Sequence, residues 1–457
     1  MVENTSVERI KEIRERQERF FRSGVTLDVK WRLERLKAFE AAVRKWEKPL
    51  CEALWTDLHK SYEEAYLTEV SILLGEIRSH IHNIRKWSRP QRKPTPLKMF
   101  PSRSKIISEP LGTALIISPW NYPVQLLLTP LVGAISSGCT AVLKPSPYVP
   151  NVSEVTRQMI EDTFSDEYVA VVQGNREVNT ALLEERWDLI FFTGSPALGR
   201  LVMGAAAKNL TPVILELGGK SPCIVDKDAD IKVAAKRIAW GKSLNAGQTC
   251  IAPDYLMIHE EIKDEFLKEL ETSFKELLGA DASTTGHFVR IVNDKAFDRL
   301  EGYLKDGRIT FGGHTDRDDR YFEPTVLDGV SPDAPVMREE IFGPIFPVQT
   351  FKDIDEVISF VTSREKPLAL YYFGSRGDYV LSHTSSGGAC INDTIMHIAN
   401  ENIPFGGVGN SGLGSYHFKR SFDAFTHYRA VVTTPTWLDL PFRYMPYKFF
   451  KVVKRLL

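Results

Sequence analysis

The segment Asn245-Ala246-Gly247-Gln248-Thr249-Cys250 sets a cysteine behind small and polar residues, a loop context in which a thiol is accessible. A structural cysteine more often sits among apolar neighbours as a small hydrophobe. An accessible thiol has a pKa near ~8.5 and attacks at neutral pH only when that value is lowered or a base stands beside it. Alone, the segment leaves a reactive and an inert Cys250 both open. Cys51, Cys139, Cys223 and Cys390 stand in helix-like or strand-like contexts and read as core.

Glu216 is the second chemical oddity. Val213-Ile214-Leu215-Glu216-Leu217 is a run fit for burial that ends at Gly218-Gly219. A buried carboxyl has a raised pKa, which suits a general base near pH 7. The alternatives are a satisfied structural carboxylate or an edge strand with Glu216 facing water. Gly194-Ser195-Pro196-Ala197-Leu198-Gly199 follows another such run and opens a helix. A turn of this kind can present backbone N–H groups to a phosphate, or serve as an ordinary strand-to-helix turn. Asn121 lies in Ser118-Pro119-Trp120-Asn121-Tyr122-Pro123, and Lys144 in Lys144-Pro145-Ser146-Pro147, each at the end of a predicted strand. Strand ends are where α/β sheets hold ligands.

These residues need elements to position them. Residues 6–85 repeat apolar side chains at helical spacing, as in Ile10, Ile13, Phe20 and Phe21. From Thr113 onward, short β-branched runs alternate with helix-length segments: Thr113–Ile117, Ala141–Leu143, Val169–Val172, Leu189–Phe192 and Val213–Leu217. A second set follows with Tyr255–His259, a helix from Glu260 to Leu278, Leu368–Phe373 and Ala389–Ile391. The alternation predicts parallel sheets covered by helices on both faces, two α/β domains in tandem. Residues 89–105, rich in Pro and basic side chains, read as an exposed insertion or arm.

The 457 residues carry 58 Lys plus Arg against 59 Asp plus Glu, a balance without the basic footprint that nucleic acid requires. Five scattered cysteines and no CxxC pair argue against a disulfide framework or a zinc cluster, and no metal site is expected. The start, Met-Val-Glu-Asn-Thr-Ser-Val-Glu-Arg-Ile, has no apolar core of a secretory signal. Leu111 to Leu143 has no charged residue, but Pro119, Asn121, Pro123, Pro130 and Gly133 interrupt it. The expectation is a strand, a loop, a helix and a second strand rather than a membrane span, in an intracellular protein.

Taken in order, SPWNYP (118–123), LKPS (143–146), FTGS (192–195), LELGGKSP (215–222), NAGQTC (245–250), EEIFGP (339–344) and PFGGVGNSGLGSYHFKRSF (404–422) resemble an aldehyde dehydrogenase. The short region before SPWNYP and the GNSGLGSYH segment are similar to the class 3 (fatty or dimeric) branch. The resemblance implies an α/β fold of two tandem Rossmann-like parallel-sheet domains. Residues 1–86 and 108–216 would bind cofactor and 217–418 would carry catalysis. Residues 87–107 and 419–435 would form a small β oligomerisation arm of a homodimer, and 436–457 a basic amphipathic tail.

The same resemblance implies that Cys250 attacks the aldehyde carbonyl to form a thiohemiacetal. Asn121 and the backbone N–H of Cys250 would hold the oxyanion, and Glu216 would activate water against the resulting thioester. Lys144, Gly194, Ser195 and Gly199 would meet the ribose and pyrophosphate of NAD. Glu340, with Phe342 and Phe405, would hold the nicotinamide end. Trp120, Tyr122, Thr249 and Met396 would line an apolar pocket for medium- or long-chain aliphatic or aromatic aldehydes. Many family members carry Glu three positions after the Lys, where this chain has Pro147, so NADP is expected beside NAD. Pro196 stands where Thr is common, a comfortable first-turn residue with little expected effect.

Residues 441–457 hold five basic residues and no acid. Read as a helix from Lys448, they place Phe449, Val452, Val453, Leu456 and Leu457 opposite the basic side chains. That pattern fits weak contact with an anionic membrane surface, or a tail docked on the enzyme itself. The segment is expected to be too short for a spanning anchor. A cytoplasmic enzyme, peripheral to a membrane at most, is the expectation. The rival readings are a CoA-acylating dehydrogenase, which needs no water-activating Glu216, and a non-catalytic structural protein on the same scaffold.

Overall fold

Helices on both faces leave a parallel strand no exposed side, so its residues can all be apolar. In the computed structural model of the chain, which describes residues 3–456, every residue of Thr113–Ile117 and of Thr140–Lys144 is buried. Six strands form the first sheet, in the order Gly412–Leu413, Val213–Leu217, Leu189–Gly194, Thr113–Ile117, Thr140–Lys144 and Val169–Val171. All pairs are parallel except the outermost, where Gly412 lies opposite Glu216. Strand order reverses beside Thr113–Ile117. The loops leaving there, after Ile117 and at Gly194-Ser195, therefore diverge and open a crevice.

The second sheet has seven strands: Arg308–Phe311, Thr325–Asp328, Ile345–Phe351, Tyr255–His259, Pro222–Val225, Ala369–Phe373 and Gly388–Ile391. It is parallel apart from the Arg308–Phe311 edge. The expected α/β alternation is thus present, and Thr113–Ile117, Val213–Leu217 and Tyr255–His259 have the expected bounds. Periodicity passed over Pro222–Val225 and Thr325–Asp328, four residues each, and Gly412–Leu413, too short to carry a pattern.

The uncharged Leu111–Leu143 stretch folds as a strand, a loop, the helix Gln125–Ser137 and a second strand, with all of that helix buried. Pro130 lies inside the helix and does not end it, contrary to expectation. Among the described residues no helix is long and apolar enough to cross a membrane.

Gln91–Lys93, Arg103–Pro110 and Thr426–Thr433 form an antiparallel three-stranded sheet, with Thr426 opposite Pro110 and Thr433 opposite Arg103. The arm strand thus runs three residues past 107. A division at 216/217 cuts the last residue from Val213–Leu217, and Gly412–Leu413 joins the first sheet from the far end of the chain. The terminal helix is Phe450–Leu456, beginning two residues after Lys448. Phe450 and Val452 are exposed beside exposed Lys451, Lys454 and Arg455, while Leu457 and the side chain of Leu456 lie outside the described residues.

Candidate active site

Glu216 sits near the end of the strand Val213–Leu217, second from the edge of the first sheet, and is 3% exposed. Both its carboxylate oxygens lack a hydrogen-bond partner, which removes the edge-strand and satisfied-carboxylate alternatives. Burial pushes this carboxyl well above its ordinary value.

The helix Ile231–Ser243 leads into Leu244–Gly247, where Asn245, Ala246 and Gly247 have φ of 52°, 51° and 70°. Left-handed backbone at two non-glycine residues persists only when the surroundings hold it. Gln248 provides much of that hold: Nε2 donates to Asn245 O and Arg290 O, each at 3.1 Å, and Oε1 accepts from Val292 N. Glycine is required at 247, since a Cβ there would come 2.4 Å from Gly343 O. Asn121 Nδ2 donates to Gln248 O at 3.0 Å, and Asn245 Nδ2 donates to Asn121 O at 3.0 Å. The predicted oxyanion residue is therefore bonded directly to the loop that carries Cys250.

Cys250 emerges half-buried on the wall of a largely apolar cavity. Burial pushes its thiol above the ordinary value, and the charges of Glu340 and Glu216 add to the effect. The backbone N–H groups of Cys250 and Ile251 act in the opposite sense. Glu216, Tyr122, Thr249 and Phe405 line the same cavity. Tyr122 O–H and Thr249 Oγ1 are hydrogen-bonded at 2.7 Å.

Two residues predicted for the substrate pocket, Met396 and Trp120, do not line this cavity. Met396 is 48% exposed, and Ile395 and Ile398 line the cavity instead. Ile395 adopts φ of 64°, an outlier for a β-branched residue, at the entry to the short turn that carries Met396. Trp120 packs edge-on against Phe342, ring centroids 5.4 Å apart, rather than among the cavity-lining residues. The motif reading also missed Thr193 and Tyr416, whose hydroxyls are buried, unpartnered and on the same wall. Both lie within quoted motifs; what hid them is that a hydroxyl becomes informative only once its burial is known.

Two of the predicted cofactor residues, Lys144 and Ser195, stand at the ends of the strands Thr140–Lys144 and Leu189–Gly194. Lys144 ends its strand 1% exposed, donates to Pro145 O at 2.8 Å, and is pushed down to about 8 by burial. Ser195 caps the helix Pro196–Ala207, its Oγ accepting from Leu198 N. A Cβ on Gly199 would sit 2.7 Å from Leu217 Cδ2, so glycine lets that helix start lie against the strand of Glu216. Glu340 lies against Gly218, and burial raises its carboxyl. A buried ammonium with one acceptor, a helix N-terminus capped by Ser195 and a half-buried carboxylate form a set of groups that fits a dinucleotide.

Doubly wound sheets with an apolar cavity at the strand ends define an α/β protein that holds its ligand outside the carboxyl ends of its strands. Residues 1–431 match the aldehyde dehydrogenase family, and the chain belongs to that family. It is 46% identical over 441 residues, 95% of this chain and 96% of the relative, to the 4,4'-diaponeurosporen-aldehyde dehydrogenase of Staphylococcus aureus. It is 41% identical over 447 residues to the dimeric NADP-preferring aldehyde dehydrogenase of Canis lupus familiaris, covering 96% and 98% of the two chains. A substrate-bound structure of Staphylococcus aureus AldH superposes with a TM-score of 0.96 at 44% identity, over 98% of this chain and 99% of that one. These likenesses bear out the class 3 branch. The chain is an enzyme that oxidises aldehydes, in a family that uses NAD or NADP.

Proposed function

We propose that the enzyme converts medium- to long-chain aliphatic or aromatic aldehydes to carboxylates through covalent intermediates on Cys250. The observation that carries this reading is one cavity wall holding both Cys250 and a buried Glu216 with two unpartnered oxygens. The Cys250 thiol gives its proton to Glu216, which passes it to solvent, as Sγ attacks the carbonyl carbon to form a thiohemiacetal whose oxyanion faces the Asn121 amide and the Cys250 N–H. Removing one such donor typically costs ~10²–10³ in rate. NAD(P), when bound, supplies the hydride acceptor. Lys144, Ser195 and Gly199 position its ribose and phosphates, and Glu340 with Phe342 and Phe405 its nicotinamide end. Glu216 takes a proton from water as that water attacks the thioester, releasing the carboxylate and the Cys250 thiol.

Pro147 puts no carboxylate where a 2′-phosphate would meet one, which supports NADP beside NAD, as does the name of the Canis relative. That name also supports a homodimer, for which Thr426–Thr433 offers an unpaired sheet edge. Five free cysteines favour a reducing compartment, the cytoplasm. The exposed Phe450 and Val452 beside Lys451, Lys454 and Arg455 support weak contact with an anionic membrane surface.

The test is NADH and NADPH formation across an aldehyde ladder that includes 4,4'-diaponeurosporen-aldehyde, with and without CoA. Wild type is expected to turn over without CoA, Cys250→Ala to be inactive, and Glu216→Gln to give one burst and stall as a thioester. A requirement for CoA, or activity in Cys250→Ala, overturns the hydrolytic reading.

A further inference from the structure

The segment after the long helix Val29–Leu58 carries three charged side chains toward the two halves of the site. Lys60 and Glu69 are both fully buried, with Nζ and Oε1 2.6 Å apart. Lys60 Nζ also donates to Asn121 O at 3.1 Å and lies 4.2 Å from the centre of the Tyr122 ring. Glu69 Oε2 accepts from Val124 N at 2.8 Å and Gln125 N at 3.3 Å, at the start of the helix that follows Asn121. Glu64 Oε1 accepts from Asn245 N at 2.7 Å, the first left-handed residue of the Cys250 loop.

Residues Tyr66–Val70 form a π-helical turn. Its i→i+5 bonds widen the helix and bring positions five apart, such as Glu64 and Glu69, toward one face. The carbonyl of Asn121 thus receives two donors, Lys60 Nζ and Asn245 Nδ2. A buried ion pair is not retained for stability alone, because an apolar pair of similar volume is often as stable.

We propose that Lys60, Glu64 and Glu69 are positioning residues for the acylation step. They tie the backbone of Asn121 to the backbone of Asn245 and so fix the distance between the Asn121 amide and the Cys250 N–H. The proposal rests on the reading of those two groups as the oxyanion donors. Lys60 and Glu69 act through Asn121 and Glu64 through the Cys250 loop, and none of the three touches the reacting atoms.

Losing Lys60 alone strands a buried carboxylate, so the variants are Lys60→Met/Glu69→Gln, which removes both charges and keeps an acceptor for Val124 N, and Glu64→Ala, at a half-buried position. Each is made in the wild-type and the Asn121→Ala background. Burst rates, KM for aldehyde and melting temperature are measured on the full-length enzyme. The expected result is a folded protein whose acylation burst slows by ~10²-fold for the pair variant and ~10-fold for Glu64→Ala, with KM little changed. In the Asn121→Ala background the further loss is expected to be less than ~3-fold, because the group being positioned is already gone.

A wild-type burst rate in both folded variants, or losses that multiply fully with Asn121→Ala, overturns the proposal. If the pair variant does not fold, Glu64→Ala alone decides by the same two criteria. Full activity in Asn121→Ala by itself is a different failure, that of the oxyanion reading.

Discussion

The carboxylate of Glu340 lies directly against the backbone of Gly218, two residues beyond Glu216, so that a Cβ on Gly218 would come 1.9 Å from Oε2. Gly218→Ala therefore displaces the flexible end of Glu340 without touching Glu216. The fold is expected to lose about 1 kcal/mol or less, because the atom that must move ends a side chain. The KM for NAD is expected to rise about tenfold, the worth of one hydrogen bond to a charged group. Steady-state kinetics beside a melting curve checks this; an unchanged KM removes Glu340 from the cofactor site.

Glu216 makes the rate depend on pH. Its folded pKa is raised, so the folded state holds a proton that the unfolded state has released. Stability attached to this group is thus lost as pH rises from the ordinary carboxylate value through the folded value. Thioester hydrolysis needs the ionised form, so kcat is expected to rise through the same interval. Glu216→Gln is expected to melt higher than wild type at pH 8 and alike at pH 4. Equal melting temperatures at both pH values contradict the burial argument.

Lys144 is pushed down to about 8, so it is an ammonium below that pH and neutral above it. Affinity for NADP is expected to fall by ~10-fold between pH 8 and pH 9.5 as the charge is lost. Fluorescence titration of NADPH across that range tests it. Lys144→Gln should bind weakly and without this pH dependence; a wild-type profile in that variant moves the contact elsewhere.

Acid stability depends on Glu76. Burial works against its ionisation, but His417, 3.6 Å away, and the His80 hydrogen bond at 3.2 Å outweigh that and hold it well below the carboxylate range. Phe418 N donates to it at 2.7 Å and Ser421 Oγ at 2.6 Å. The stability this group contributes is present above the ordinary carboxylate value and lost as pH falls through the folded one. Glu76→Gln is expected to cost about 3–5 kcal/mol at pH 7. In urea unfolding that gap should close progressively below pH 4; a constant gap refutes the assignment.

Truncation after residue 440 tests the tail. Turnover of a short water-soluble aldehyde is expected to stay at the wild-type level. Co-sedimentation with vesicles containing phosphatidylserine should disappear, and in the full chain it should weaken with salt. Lysine-insensitive binding, retained when Lys451, Lys454 and Arg455 are changed to Gln, discards the membrane reading.

How much was legible in the sequence follows from the range over which each signal acts. Residue type and short-range rhythm are local, so Val213–Leu217, Tyr255–His259 and the α/β alternation were readable, and so was the oddity of a carboxyl at 216 and of a thiol behind NAGQT. Side-chain direction and pairing across long separations are not local. Asn121 reaches Gln248 across 127 positions, Gly412 reaches Glu216 to complete a sheet, and Glu64 reaches Asn245 across 181. A left-handed turn at Ile395 accompanies an exposed Met396 beside cavity-lining Ile395 and Ile398, and Trp120 goes to Phe342. By itself the sequence determined which elements form and which residues are chemically out of place. Only tertiary packing decided which of those residues share a cavity, because burial and partner atoms come from distant parts of the chain.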